Sequence, residues 1–252
     1  MLLPVIAAAC STSMAHRRQK SPRDPAAALR WQVPSSLEAE RGAYQREVSR
    51  ALDDVARFFR VSGFEVAPPD LIDSVILFEK TTDARDHFVE TQGAPPEAIP
   101  ETFAGMVDGR TLYLVSREAY REIWKQLYPD WPWTDETYRG LIVHELAHRA
   151  HESIAISRMG SADAMGPPWF FEGLAVDCAD QFDRSEPLLV RDEIESLVGG
   201  PSPPPVSYPL YGRLVRSLAA TFEMKTLITR AAEAEFPGVL WYTHSGPNPR
   251  NK

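Results

Sequence analysis

Two histidines and a glutamate fall within five consecutive residues, His144-Glu145-Leu146-Ala147-His148. On a helix, side chains four residues apart lie one above the other on the same face. The His144 and His148 imidazoles can therefore close on one zinc ion with bonds of about 2.0–2.1 Å. Glu145, one step along, points beside such an ion rather than at it, where a carboxylate can take a proton from water activated by the metal. The same letters also describe two histidines on an ordinary helix face, satisfied by hydrogen bonds. A catalytic zinc needs a third protein ligand and keeps one position open, so the third donor decides between the two readings.

His151 completes a stripe at i, i+4 and i+7. Seven residues of helix rise roughly 10 Å, so His144 and His151 cannot share an ion, and His151 is expected as a polar neighbour at the cleft edge. The longer motif H-E-x-x-H-x-x-G-x-x-H fails as well, because His151 stands at its glycine and Ile154 at its third histidine. A better donor lies in Pro167-Pro168-Trp169-Phe170-Phe171-Glu172-Gly173-Leu174-Ala175. Pro168 can start a helix whose apolar side is Phe171, Leu174, Ala175 and Cys178. A carboxylate inside so apolar a stretch calls for a partner, and a metal ion would be one. Without a metal, Glu172 reads as a solvated residue in the first turns of that helix.

HELAH followed by W-F-F-E-G-L-A resembles the gluzincin metallopeptidases, most closely the small bacterial proteins called peptidase MA-like. The resemblance spans roughly residues 71–233, with only these two motifs specific. It implies an α+β, thermolysin-like zincin catalytic domain: a small mixed sheet with a hairpin edge strand, then a mainly helical half carrying the histidines. It also implies one zinc per chain, held by His144, His148 and Glu172, with Glu145 as general base. Many gluzincins place an aspartate four residues after the ligand glutamate to orient the first histidine; that position is Val176 here, and Asp177 or Asp180 is expected to serve instead. The segment Ala104-Gly105-Met106-Val107-Asp108-Gly109 resembles the gluzincin aminopeptidase strand, with Val107 in place of the glutamate that would hold a substrate N-terminus. For the donor that steadies the developing oxyanion, Tyr211 is the first candidate, Tyr208 the second and His244 the third.

The elements that must position these residues are readable in outline. Thr134–Arg158 reads as one helix, with Thr134 as N-cap, Asp135 and Glu136 in the first turn, and Leu141, Ile142, Leu146, Ala150, Ile154 and Ala155 as its apolar surface. Residues 159–167 are rich in Gly, Ser, Asp and Pro, as a turn between antiparallel helices should be. Upstream, Ser36–Val61 has helical periodicity, Val75–Glu79 reads as a strand and Asp83–Gln92 as a helix. Phe103–Val107 and Thr111–Val115 flank the turn Asp108-Gly109-Arg110. Met106 or Leu112–Leu114 is expected to take a peptide backbone by β-augmentation. Downstream come Glu186–Leu197, a proline-rich stiff loop Gly199–Pro205 that could rim the cleft, and closing helices at Tyr208–Phe222 and Met224–Glu235.

Composition sets the remaining bounds. The 252 residues, 44% hydrophobic and 25% charged, suffice for one packed domain with tails. A net charge of −8 argues against nucleic acid as a partner, and no run reaches the roughly 20 apolar residues that span a bilayer. Two cysteines, Cys10 and Cys178, make no disulfide framework, and Cys178 reads as a small apolar helix residue. Ala7-Ala8-Ala9-Cys10-Ser11 resembles a bacterial lipoprotein signal, cut short at its start. The expected organisation is a truncated signal at 1–10, a tether at 11–34, one zincin-like domain at 35–236 and a loose tail at 237–252. A bacterial cell envelope or periplasmic location follows, with a lipid anchor through Cys10; the cytoplasm is the alternative if that segment is no signal. The expected activity is zinc-dependent hydrolysis of a peptide or protein substrate by a monomer. The alternatives are a non-catalytic envelope binding protein on the same fold and a zinc hydrolase of another amide or ester.

Overall fold

The β-branched and apolar run at Val75–Phe78 is too short for a helix and becomes the centre of the sheet. In the computed structural model, which describes residues 25–198 and 207–244, four strands are present: β1 (Arg30–Gln32), β2 (Ser74–Phe78), β3 (Gly105–Asp108) and β4 (Thr111–Val115). Their order is β1-β2-β4-β3. β1 and β4 run parallel to β2, with Trp31 opposite Val75 and Ile76 opposite Tyr113; β3 runs antiparallel to β4, with Gly105 opposite Leu114. Asp108 pairs with Thr111, so Gly109 and Arg110 alone make the turn, and Gly109 takes the left-handed φ (+54°) that such a tight hairpin requires.

The helices are α1 (Arg41–Val61), α2 (Pro68–Leu71), α3 (Thr81–Gln92), α4 (Arg117–Leu127), α5 (Asp135–Met159), α6 (Pro168–Cys178), α7 (Arg191–Val198), α8 (Tyr208–Ala219), α9 (Met224–Arg230) and α10 (Gly238–His244). The class is α+β, with a small mixed sheet and a helical remainder. α5 buries about half of its residues and sits centrally, against α1, α6 and β3. Its start is fixed by the Thr134 N–H donating to Thr137 Oγ1 (2.9 Å), and its end by Gly160 at φ +83°. The fully buried Tyr138 donates its hydroxyl to the Val115 carbonyl (2.8 Å), which pins α5 to the end of β4. Among the described residues no helix is long and apolar enough to cross a membrane.

Several expectations change. Arg30–Gln32, expected in the tether, is strand β1; three residues carry too little pattern to show a strand, and pairing to β2 makes one. Gly238–His244, expected in the loose tail, is α10, held by Leu240, which is 1% exposed. α4 lies where no element was expected, capped by Ser116, whose hydroxyl accepts from the Ala119 N–H (3.2 Å). Leu112–Leu114 lie on β4, which has a neighbour on each side and cannot accept an added strand. The signal with Cys10, most of the tether and the loop Gly199–Pro205 lie outside the described residues.

Candidate metal centre

One turn of α5 separates His144 from His148, and α6 runs back across it to deliver Glu172. His144 Nε2 lies 3.1 Å from His148 Nε2 and 3.2 Å from Glu172 Oε2, and His148 Nε2 lies 3.3 Å from the same oxygen. Three donor atoms thus form a nearly equilateral triangle. A tetrahedral centre with ligand bonds of about 2.0–2.1 Å needs donor–donor edges of roughly 3.3–3.4 Å. The triangle is within a few tenths of an ångström of that, so the buried group can hold a metal ion. Among the described residues no fourth His, Cys, Asp or Glu donor joins it.

Glu172 is held in the ionised form that a ligand needs. Burial works against the charge on Glu172, but hydrogen bonds with His144 and His148 outweigh it and hold the carboxyl down at about 2. His144 is the most enclosed of the three donors, with its side chain 9% exposed against 22% for His148 and 23% for Glu172. Its other ring nitrogen, Nδ1, faces Gln181 Oε1 at 3.0 Å. Gln181 therefore occupies the outer position for which Asp177 or Asp180 was expected. Both aspartates turn instead to Arg184, at 3.2 and 2.5 Å. Gly140, one turn before His144, leaves room for this: a Cβ there would stand 3.3 Å from Gln181 Cγ. The loop carrying Gln181 is contorted, with Asp180 at φ +50° and Phe182 at φ +64°. Both are left-handed, which is uncommon for any residue with a side chain and more so for a bulky one.

Glu145 lines a cavity of about 250 Å³ that His144, Gly105 and Tyr208 also line. Burial pushes its carboxyl up to about 7, with His144 pulling down and Glu172 pushing up. β3 forms one wall. The Val115 N–H donates to the Ala104 carbonyl, so by the antiparallel alternation Gly105 and Val107 turn their own N–H and C=O groups to the free edge. Met106, expected to offer its backbone there, faces β4 instead. Gly105 sits tight against β4, since a Cβ on it would lie 3.1 Å from Leu114 Cδ2 and 3.2 Å from the Tyr113 carbonyl oxygen, with Glu145 Cγ in ordinary contact.

The tyrosines separate. Tyr208, on the first turn of α8, packs its ring edge-on to His144 at 5.5 Å and lines the cavity. Tyr211, the first candidate from sequence, is buried among the core residues with its backbone against Gly173. His244 closes α10, and its side chain lies outside the described part. His151 is 1% exposed rather than at the cleft edge, because α6 covers it and brings the Phe170 ring to 6.0 Å. Cys178 is a free thiol whose burial raises its pKa, as an inert packing residue should have. Sequence reasoning missed Gln181 and the aromatic wall of the cavity. The density of Tyr120, Trp124, Tyr128, Trp131 and Trp133 was the one available signal for the wall. No family model, curated protein or solved structure matches the chain.

Proposed function

We propose that the chain is a zinc-dependent peptidase of gluzincin type, with a thermolysin-like arrangement of sheet and helices and a resemblance to the peptidase MA-like proteins. The observation that carries this reading is the metal-capable group of His144, His148 and Glu172, with Glu145 beside His144 in the wall of an adjoining cavity. A site that served only structure would need no free carboxylate there, and closed structural zinc sites use four protein ligands. Two imidazoles and one carboxylate suit zinc.

When bound, zinc supplies a Lewis acid that polarises a carbonyl and makes water a nucleophile near neutral pH. The rest falls to the chain's own groups. Glu145 takes the proton from the attacking water and returns it to the departing amine. Gln181 holds the His144 ring in the tautomer that leaves Nε2 free to bind. Tyr208, whose buried hydroxyl stays protonated through the neutral range, is the donor best situated for the oxyanion. The free edge of β3 offers the Gly105 and Val107 backbone groups to an extended peptide. Purified protein from metal-replete cells is expected to hold about one zinc per chain. Glu145→Gln should keep that zinc and cut none of a defined peptide mixture that the unaltered chain digests, with products read by mass spectrometry. A chain that stays metal-free under those conditions would sink the proposal.

A further inference from the structure

The cavity beside Glu145 is lined by six aromatic rings, those of Phe103, Tyr120, Trp124, Tyr128, Phe182 and Tyr208. We infer that it is a specificity pocket for an aromatic side chain, so that the substrates of this site are peptides with phenylalanine, tyrosine or tryptophan beside the scissile bond. The inference rests on the peptidase reading above and narrows it.

The rings form one arrangement. Trp124 and Phe182 stack at 5.5 Å with 15° between their planes. Tyr128 meets Phe182 edge-on at 5.0 Å, and Tyr120 meets Trp124 edge-on at 5.9 Å. Aromatic pairs favour these offset and edge-to-face contacts, so a further ring can enter with its edge or face matched to a neighbour. The indole N–H of Trp124 is already spent on the Trp131 carbonyl (2.9 Å) and asks nothing of a ligand. Volume agrees as well, since a dry apolar cavity of about 150 Å³ already accepts a benzene ring and this one is about 250 Å³. Among the described residues lining it there is no lysine or arginine, and Glu145 is the only carboxylate. An acidic side chain would therefore find no lysine or arginine in the wall to pair with.

Phe182 supplies an independent sign of purpose. Its left-handed backbone, at φ +64°, costs free energy that the same residue would avoid in an ordinary loop. The conformation carries its ring onto Trp124 and Tyr128 at the cavity wall. Strain of that kind clusters where a side chain must be aimed.

Two measurements on the full-length protein test the pocket. In the first, zinc-loaded Glu145→Gln is titrated with acetyl-Gly-Phe-Gly-amide and with its alanine counterpart. The phenylalanine peptide should bind about ten-fold tighter or more, as a filled apolar pocket discriminates. Phe182→Gly, which suits the left-handed backbone and removes the ring packed on Trp124, Tyr128 and Trp131, should erase the difference when added to the same protein, its fold and zinc content being checked against the parent. In the second, the unaltered chain digests a defined peptide mixture and the residues flanking each cut are tallied; aromatics should dominate one flank, and Phe182→Gly should flatten that bias. Equal retention of the two peptides, or the absence of binding by both, overturns the pocket. So do cuts without aromatic bias, although these leave the peptidase reading intact. A mixture left uncut while the phenylalanine peptide is still preferred, and the preference is lost in Phe182→Gly, supports the pocket and removes the peptidase reading.

Discussion

Gln181 has no charge and belongs to no motif, yet its side-chain oxygen takes the one position that can order His144 from behind. With a proton on Nδ1 donated to that oxygen, Nε2 presents its lone pair toward His148 and Glu172. Gln181→Ala is expected to weaken metal binding by about 10–100-fold, measured by competition with a chelator. Unchanged affinity would mean that packing against Tyr208 alone orients the ring. At this scale the sequence is readable only where a residue's role depends on near neighbours in the chain. His144, Glu145 and His148 declare themselves because helix geometry stacks them whatever else the protein does. Glu172 shows through as a carboxylate in an apolar stretch. Gln181 sits in a loop whose path depends on Arg184 gripping Asp177 and Asp180, and no local pattern encodes that path.

The contact between α6 and α8 explains the glycine that follows Glu172. A Cβ on Gly173 would overlap the Tyr211 carbonyl oxygen and stand 2.7 Å from Val215 Cγ2, and one on Gly212 would overlap Val176. The two helices therefore approach until backbone meets side chain, and α8 backs the turn that presents Glu172. In an open helix, Gly→Ala gains about 0.5–1 kcal/mol; against a rigid backbone, overpacking costs about 1–3 kcal/mol. The second effect wins here. Gly173→Ala is expected to lower the melting temperature and, by pushing α6 outward, to reduce zinc content; a stabilised, fully loaded variant would contradict this account. Elements are legible in sequence where their patterns are long. α5 and α1 show themselves by periodicity, and β4 begins and ends where its apolar run does. α4 carries Tyr120, Ile123 and Trp124 at helical spacing and was readable on the same grounds, whereas the three-residue β1 exists only because β2 offers it an edge.

At the scale of the whole molecule, the buried His151 works against stability. His151 has neither ring nitrogen hydrogen-bonded among the described residues, and burial first, then His148, lowers its pKa from 6.5 to about 3. The unfolded chain therefore binds a proton below about pH 6.5 that the native chain refuses, and stability falls by up to about 1.4 kcal/mol per pH unit from there down to about pH 3. A bound cation beside His148 would push in the same direction. His151→Leu is expected to remove that acid slope, and to raise the melting temperature near neutral pH by about 2–4 °C if roughly 1 kcal/mol of desolvation is relieved. Thermal unfolding followed across that pH range checks both; a variant as acid-sensitive as the parent would refute it. The α+β class and the order of the main elements could be anticipated, but the aromatic chamber could not. Its walls come from α4, the segments before β3 and after α6, and the start of α8, which only the assembled fold brings together. The loop after α6 has one more consequence. Gln181 and Phe182 are consecutive, one behind a metal ligand and the other in the chamber wall, so whatever holds either residue narrows the freedom of the other. Metal and chamber ligand would then be linked: the factor by which one tightens the other must be the same in both directions. On the peptidase reading proposed above, the form with its chamber empty should surrender a bound metal fastest, and a plentiful supply of substrate would itself guard that metal against chelation.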